Sequence, residues 1–255
     1  MITIAFYNLK GGVGKTTTAV NMAYMAAAAG KNTVLWDLDP QAAATWLCQQ
    51  ENAKSRAIKV FSKGRAVADL EVATPFPGLS VIPADLSLRK MEKEFEGQSG
   101  NRWLKNLIKP LADKNDILIY DCAPSLSPAM EQLLSDVDIV LIPMIPSPLS
   151  IRAMEQVIAF FGEKKNSPQK IVGFFNQVDM RRNLHRQAVE NLKQMPVPML
   201  KSWIPMNSAV EQMALRQAPL TSYASHGRAA LAYQEMWKEL ARLLRKTERE
   251  ASVAS

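Results

Sequence analysis

Cysteine is scarce in this 255-residue chain, which holds only Cys48 and Cys122. Two thiols this far apart cannot build a disulfide framework or a Cys-x-x-Cys metal site, and a reducing cytosol is their simplest setting. Long hydrophobic runs are missing too. The opening Met1-Ile2-Thr3-Ile4-Ala5-Phe6-Tyr7 carries no basic leader, and its apolar run is far too short to cross a bilayer. The segment is expected to be a strand and not a signal peptide. No internal repeat, low-complexity linker or domain break interrupts the chain, so residues 1–255 are expected to form one domain. Acid is in short supply: 24 Asp+Glu against 31 Lys+Arg leave a formal net charge of +7. Such a surface attracts polyanions, favouring nucleic acid or an acidic membrane over an acidic protein partner. The two histidines, His185 and His226, show no ligand spacing and are expected on the surface or in packing. What the chain does have is core: 47% hydrophobic residues beside 22% charged ones is ordinary for a globular protein.

The apolar residues fall in short, branched runs: Ile2 to Tyr7, Thr33 to Trp36, Leu79 to Ile82, Ile117 to Tyr120, Ile139 to Ile142 and Ile171 to Phe175. Helical periodicity fills the gaps, as from Lys15 to Ala29 and from Ser150 to Phe161. Near-continuous strands alternating with helices predict an α/β fold: a doubly wound, mostly parallel sheet with helices on both faces. A last helix is expected over about 227–249, with Leu231, Trp237, Leu240 and Leu244 on its apolar stripe, followed by a polar tail.

Between the first strand and the first helix lies Leu9-Lys10-Gly11-Gly12-Val13-Gly14-Lys15-Thr16-Thr17. Gly11, Gly12 and Gly14 allow a backbone to wrap closely around phosphate oxygens with several N–H groups turned inward. The following helix aims its positive end at the same anion. In such a P-loop, Lys15 reaches the β- and γ-phosphates and the Thr16 hydroxyl is placed for Mg²⁺, so ATP and Mg²⁺ are the expected cofactors. Leu9 stands where the common pattern begins with glycine.

Three acids close strands: Asp37 and Asp39 the second, Asp121 a later one. Ligands of open parallel sheets bind at the carboxyl ends of strands, so all three are expected to face the phosphates. One carboxylate there can hold Mg²⁺ through its waters, and another can position a water for in-line attack. The sequence pattern does not divide those jobs.

Lys10-Gly11-Gly12-Val13-Gly14-Lys15-Thr16-Thr17 and Asp37-Leu38-Asp39-Pro40-Gln41 resemble the deviant Walker A loop and following motif of the ParA/MinD ATPases, and the resemblance covers nearly the whole chain. It implies that Lys10 crosses an ATP-sandwiched homodimer interface to touch the partner's nucleotide. It implies a water-activating role for Asp39 and a magnesium-side role for Asp121, with Asp37 either a further metal-side acid or a strand-end cap. Catalysis would then rest on Lys10, Lys15 and Asp39, and metal binding on Thr16, Asp121 and Asp37. Pro124-Ser125-Leu126 corresponds to the family's switch segment, and Cys122 to a packing position beside it. Asn176 follows a buried strand where the family reads adenine, though a turn former satisfying local backbone groups would look the same. Ile204-Pro205 resembles the later base-side loop, with Met206 where arginine is common.

Basic residues gather in the second half: Arg181, Arg182, Arg186, Lys193, Lys201, Arg216 and Arg228. The resemblance implies an ATP-made dimer that binds DNA without sequence preference, and Arg181, Arg182, Arg186, Arg216 and Arg228 are the candidate contacts. Starting directly on the first strand, the chain is expected to lack the N-terminal DNA-reading extension of some plasmid proteins of this branch. A ParB-like or adaptor partner would stimulate slow hydrolysis, and the cargo would be a DNA locus or a large cytosolic assembly such as a carboxysome. The protein is thus expected in the cytoplasm, on the nucleoid when ATP-bound. Two alternatives stand beside this: a MinD-like membrane ATPase, disfavoured because basic and acidic residues solvate the last helix's end, and an ATP-dependent ligase on the same fold. A reductase of this fold would need paired cysteines that Cys48 and Cys122 do not supply.

Overall fold

The computed structural model describes residues 1–50, 57–62, 66–95, 103–125, 127–162, 168 and 170–254. Seven strands form one sheet: β1 (Ile2–Phe6), β2 (Thr33–Asp37), β3 (Val72–Ala73), β4 (Leu79–Ile82), β5 (Ile117–Asp121), β6 (Ile139–Met144) and β7 (Lys170–Phe175). Their order is β3-β4-β2-β5-β1-β6-β7. All neighbours are parallel except β3, which pairs antiparallel with β4 at the edge.

The helices are α1 (Lys15–Ala28), α2 (Ala43–Leu47), α3 (Lys59–Ser62), α4 (Met91–Phe95), α5 (Trp103–Ala112), α6 (Pro128–Asp136), α7 (Pro148–Gly162), α8 (Asn183–Glu190), α9 (Ser208–Arg216), α10 (Leu220–Tyr223) and α11 (Arg228–Ala254). Strand side chains alternate between faces and so divide the core in two. Ile4, Phe6, Leu35, Ile119 and Phe174 pack with α1 and α11 on one face. Ala5, Val34, Trp36, Tyr120 and Ile142 pack with α5, α6 and α7 on the other, where the Trp36 ring stacks on Phe61 at 5.9 Å.

Three expectations are corrected. The final helix runs to Ala254, because the polar tail continues the helix and Thr247 and Glu250 anchor it to Lys170 of β7. Its buried stripe is Ala229, Ala230, Tyr233, Met236, Trp237, Leu240 and Leu244, docked on α1, while Leu231 faces outward at 48% exposure. The sheet also has an edge strand, β3, that the apolar runs do not include, because two residues are too few to show a period of their own.

One connection decides where a ligand can sit. β1 sends α1 to one face, whereas its neighbours β5 and β6 send α6 and α7 to the other. A crevice therefore opens at the carboxyl ends of these strands. Phe6, Asp121 and Asp37 lie on one rung there, at the ends of β1, β5 and β2.

Candidate nucleotide-binding site

The crevice is a cleft of about 400 Å³ lined by the glycines and Lys15-Thr16-Thr17 of the loop, by Asp39 and Pro124, by Asn176 and Gln177, and by Ile204–Asn207 with Val210 and Glu211. Gly12 and Gly14 take positive φ, 72° and 86°, a region that costs other residues free energy. Gly14 is the residue before α1, and no side chain caps that helix. Its first-turn N–H groups are thus left for an anion. Asn8 holds the loop's entry: its Nδ2 donates to the Pro143 carbonyl at 2.7 Å, and its Oδ1 accepts from the Lys10 N–H at 2.9 Å.

Lys15 is 7% exposed, and its Nζ donates to the Lys10 carbonyl at 3.1 Å. Burial pulls its ammonium below the usual lysine value, opposed by Asp121, Cys122 and Asp39 nearby. A phosphate group arriving there would favour the charged form further. Lys10 is half-buried at the loop's outer turn.

The acids differ sharply in what they touch. Asp37 spends both oxygens inside the protein: Oδ1 accepts from the Asp39 N–H at 3.1 Å, and Oδ2 from the Thr45 N–H at 2.9 Å and the Thr45 hydroxyl at 2.8 Å. It ties the end of β2 to α2, so the structure gives this expected metal-side acid a structural job. Burial raises its pKa to about 6 even so. Asp121 is its opposite, with both carboxylate oxygens buried and without a hydrogen-bond partner. Burial, then the Asp37 carboxylate, push its pKa well up, while the Thr16 hydroxyl and Lys15 pull it down. An orphaned buried carboxylate is costly. A cation would relieve it, and a carboxylate beside a threonine hydroxyl is the hard oxygen chemistry that Mg²⁺ takes. Among the described residues, no group of three or more His, Cys, Asp or Glu could hold a metal alone, so the remaining ligands would be water and phosphate oxygens. Asp39 is half-exposed at the cleft, its Oδ1 accepting from the Gln41 N–H at 2.9 Å.

Asn176, an expected base contact, is 3% exposed. Its Nδ2 donates to the Val13 carbonyl at 2.8 Å and its Oδ1 accepts from the Gln177 N–H at 2.9 Å, so its amide ties β7 to the P-loop. The fit is close: a Cβ on Gly14 would overlap Asn176 Nδ2. Gly14→Ala is accordingly expected to cost about 1–3 kcal/mol from strain and overlap, read as a lower unfolding temperature of the nucleotide-free protein. Pro205 lines the cleft and bridges to Val178 in parallel fashion. Pro124 lines it as well, and the Ser125 carbonyl accepts from the Tyr7 hydroxyl at 2.8 Å; Leu126 lies outside the described residues. Cys48 and Cys122 are buried and unbridged.

Of the basic candidates, Arg181, Arg182 and Arg186 cluster at the start of α8, with Arg181 held on Asp179. Arg216 ends α9 over the Tyr223 ring, and Arg228 begins α11. All five are exposed. His185 is buried, its Nδ1 accepting from the Asp179 N–H at 3.0 Å, and His226 is exposed.

A glycine loop between a central strand and a helix, at the switch point of a parallel sheet, defines a P-loop nucleotide-binding fold. A family model described as an AAA domain matches residues 1–172. The sporulation initiation inhibitor protein Soj of Bacillus subtilis is 31% identical, over 93% of this chain and 97% of its own. The chromosome partitioning protein ParA of Myxococcus xanthus is 29% identical, over 93% and 87% respectively. The chain belongs to the ParA/MinD family of P-loop ATPases. The fold is also that of cobyrinic acid a,c-diamide synthase from Mycobacterium smegmatis, solved with ADP and magnesium, at a TM-score of 0.81 and 22% identity over 96% of both chains. No helix among the described residues is long and apolar enough to cross a membrane.

Proposed function

We propose that this protein is a ParA-type ATPase that dimerises on MgATP, binds DNA without sequence preference, and is reset by partner-stimulated hydrolysis to segregate or position a cargo. The observation that carries the reading is the orphaned Asp121 carboxylate facing Thr16 and Lys15 in the loop's cleft. Mg²⁺ there would supply charge neutralisation across the β- and γ-phosphates. Lys15 and the loop N–H groups bind the phosphates, Thr16 and Asp121 hold the metal side, and Asp39 orients the attacking water. Lys10, on the outer turn, reaches the nucleotide of a second copy. Hydrolysis removes the γ-phosphate those contacts depend on, and the dimer parts.

Exposed arginines at the starts of α8 and α11 and the end of α9 supply cations for DNA, and joining two copies doubles the phosphate contacts. The relatives named for chromosome partitioning and sporulation support this reading over the ligase, with which the chain shares a fold at low identity. Against a membrane anchor, the apolar stripe of α11 is spent on α1. Light scattering with ATP, ADP and no nucleotide tests the proposal. A dimer should form with ATP alone and be lost in Lys10→Ala, and DNA binding should follow the dimer and fall steeply with salt. A protein that stays monomeric with ATP while turning it over would be a plain enzyme of the ligase class.

A further inference from the structure

Gly11 and Gly12 give the phosphate loop its reach, but they also leave its peptides free to turn. Among the described residues nothing stands within 4 Å of where a Cβ would lie on either residue, so packing by them does not hold the turn. The hold comes from across the cleft. Gln177 Nε2 donates to the Gly12 carbonyl at 2.7 Å, next to the Asn176 bond on the Val13 carbonyl. A peptide unit is planar and trans, so the C=O of one residue and the N–H of the next point in opposite directions. Holding the Gly12 and Val13 carbonyls on the loop after β7 therefore also fixes the orientation of the Val13 and Gly14 N–H groups.

Gln177 makes its bond from a left-handed backbone, φ 54, a conformation that costs a residue with a side chain. The cost persists because the stretch is held on both sides. The Asn176 N–H donates to the Met144 carbonyl at 2.7 Å, the Val178 N–H to the Ile204 carbonyl at 3.0 Å, and the Met206 N–H to the Val178 carbonyl at 3.0 Å. The segment thus links the phosphate loop to the opposite wall of the cleft.

We infer that Gln177 is a positioning residue for the nucleotide, its side-chain amide presetting the peptides of the phosphate loop. The inference rests on the nucleotide reading above. Gln177→Met keeps the length and removes the donor, and Gln177→Lys restores a donor of similar reach. In calorimetric titrations of the full chain, Gln177→Met should weaken ATP and ADP alike by about tenfold, the loss of one hydrogen bond. Gln177→Lys should return to within about threefold of the parent on the same arithmetic. KM should rise in Gln177→Met while kcat holds, since the loop grips the phosphates equally before and during reaction. Unfolding temperatures of the nucleotide-free variants should fall by no more than about 4 °C, the scale of one hydrogen bond of about 1 kcal/mol in a chain this size. Parent-like affinity in Gln177→Met would overturn the positioning role and leave the nucleotide site standing. Equal losses in the Met and Lys variants would overturn it by assigning the effect to shape. A parent protein that fails to bind ATP would overturn both.

Discussion

Asp39→Ala should bind ATP about as well as the parent and hydrolyse it at least about a hundredfold more slowly, the scale of a lost proton-handling or water-positioning group. The side chain is half-exposed and its one described hydrogen bond comes from Gln41 two residues on, so little of the fold depends on it. Asp39 also adds negative charge beside Lys15. Its loss removes repulsion toward the phosphates and leaves ground-state binding intact. Binding without turnover should hold the protein in its ATP state, so a dimer on DNA should accumulate and persist. Single-turnover hydrolysis, light scattering and DNA retention measured on one preparation check all three parts. Rapid turnover in this variant would remove Asp39 from the reaction.

Lys15→Ala should abolish useful nucleotide binding. A buried ammonium facing phosphates makes charge-assisted hydrogen bonds worth about 1.5–3 kcal/mol each. Losing two should weaken ATP by roughly a hundredfold or more. The nucleotide-free protein should be little harmed, because burial costs the Lys15 ammonium more than the neighbouring Asp121, Cys122 and Asp39 return. Calorimetric titration gives the first effect and thermal unfolding without nucleotide the second. ATP affinity within about threefold of the parent, under half a power of ten in the binding constant, would mean that the loop is not where the phosphates sit.

Both predictions concern residues whose place is legible in the amino-acid sequence. Lys15 and Asp39 sit in local patterns, a glycine-spaced turn and a strand-end acid, whose geometry is set by residues on either side. Asp37 is not legible in the same way. Two positions from Asp39, it has the same side chain, but it still belongs to β2 whereas Asp39 lies beyond the strand's end, and its carboxylate meets Thr45 eight residues on. Asn176 is legible as a residue after a buried strand, but not as a partner of Val13, 163 positions away. Gln177 carries no signal at all, since an amide after a strand end is ordinary and its bond to Gly12 exists only once β7 and β1 share a sheet. Leu231 faces outward for a local reason: at about 100° per residue it lies half a turn from Leu240, on the far side of the helix from the buried stripe.

The sequence by itself determined the strand–loop–helix unit, the alternation of strands and helices, and the identity of the loop lysine and threonine. Each follows from backbone torsions and side-chain spacing within a dozen or so residues. The tertiary structure alone decided which polar groups find partners. It satisfies Asp37, strands Asp121 beside Thr16, and sets two amides from the end of β7 on the carbonyls of the phosphate loop. A buried polar group's free energy depends on what strand order brings within about 3 Å of it, and that order is settled only when the whole sheet has formed.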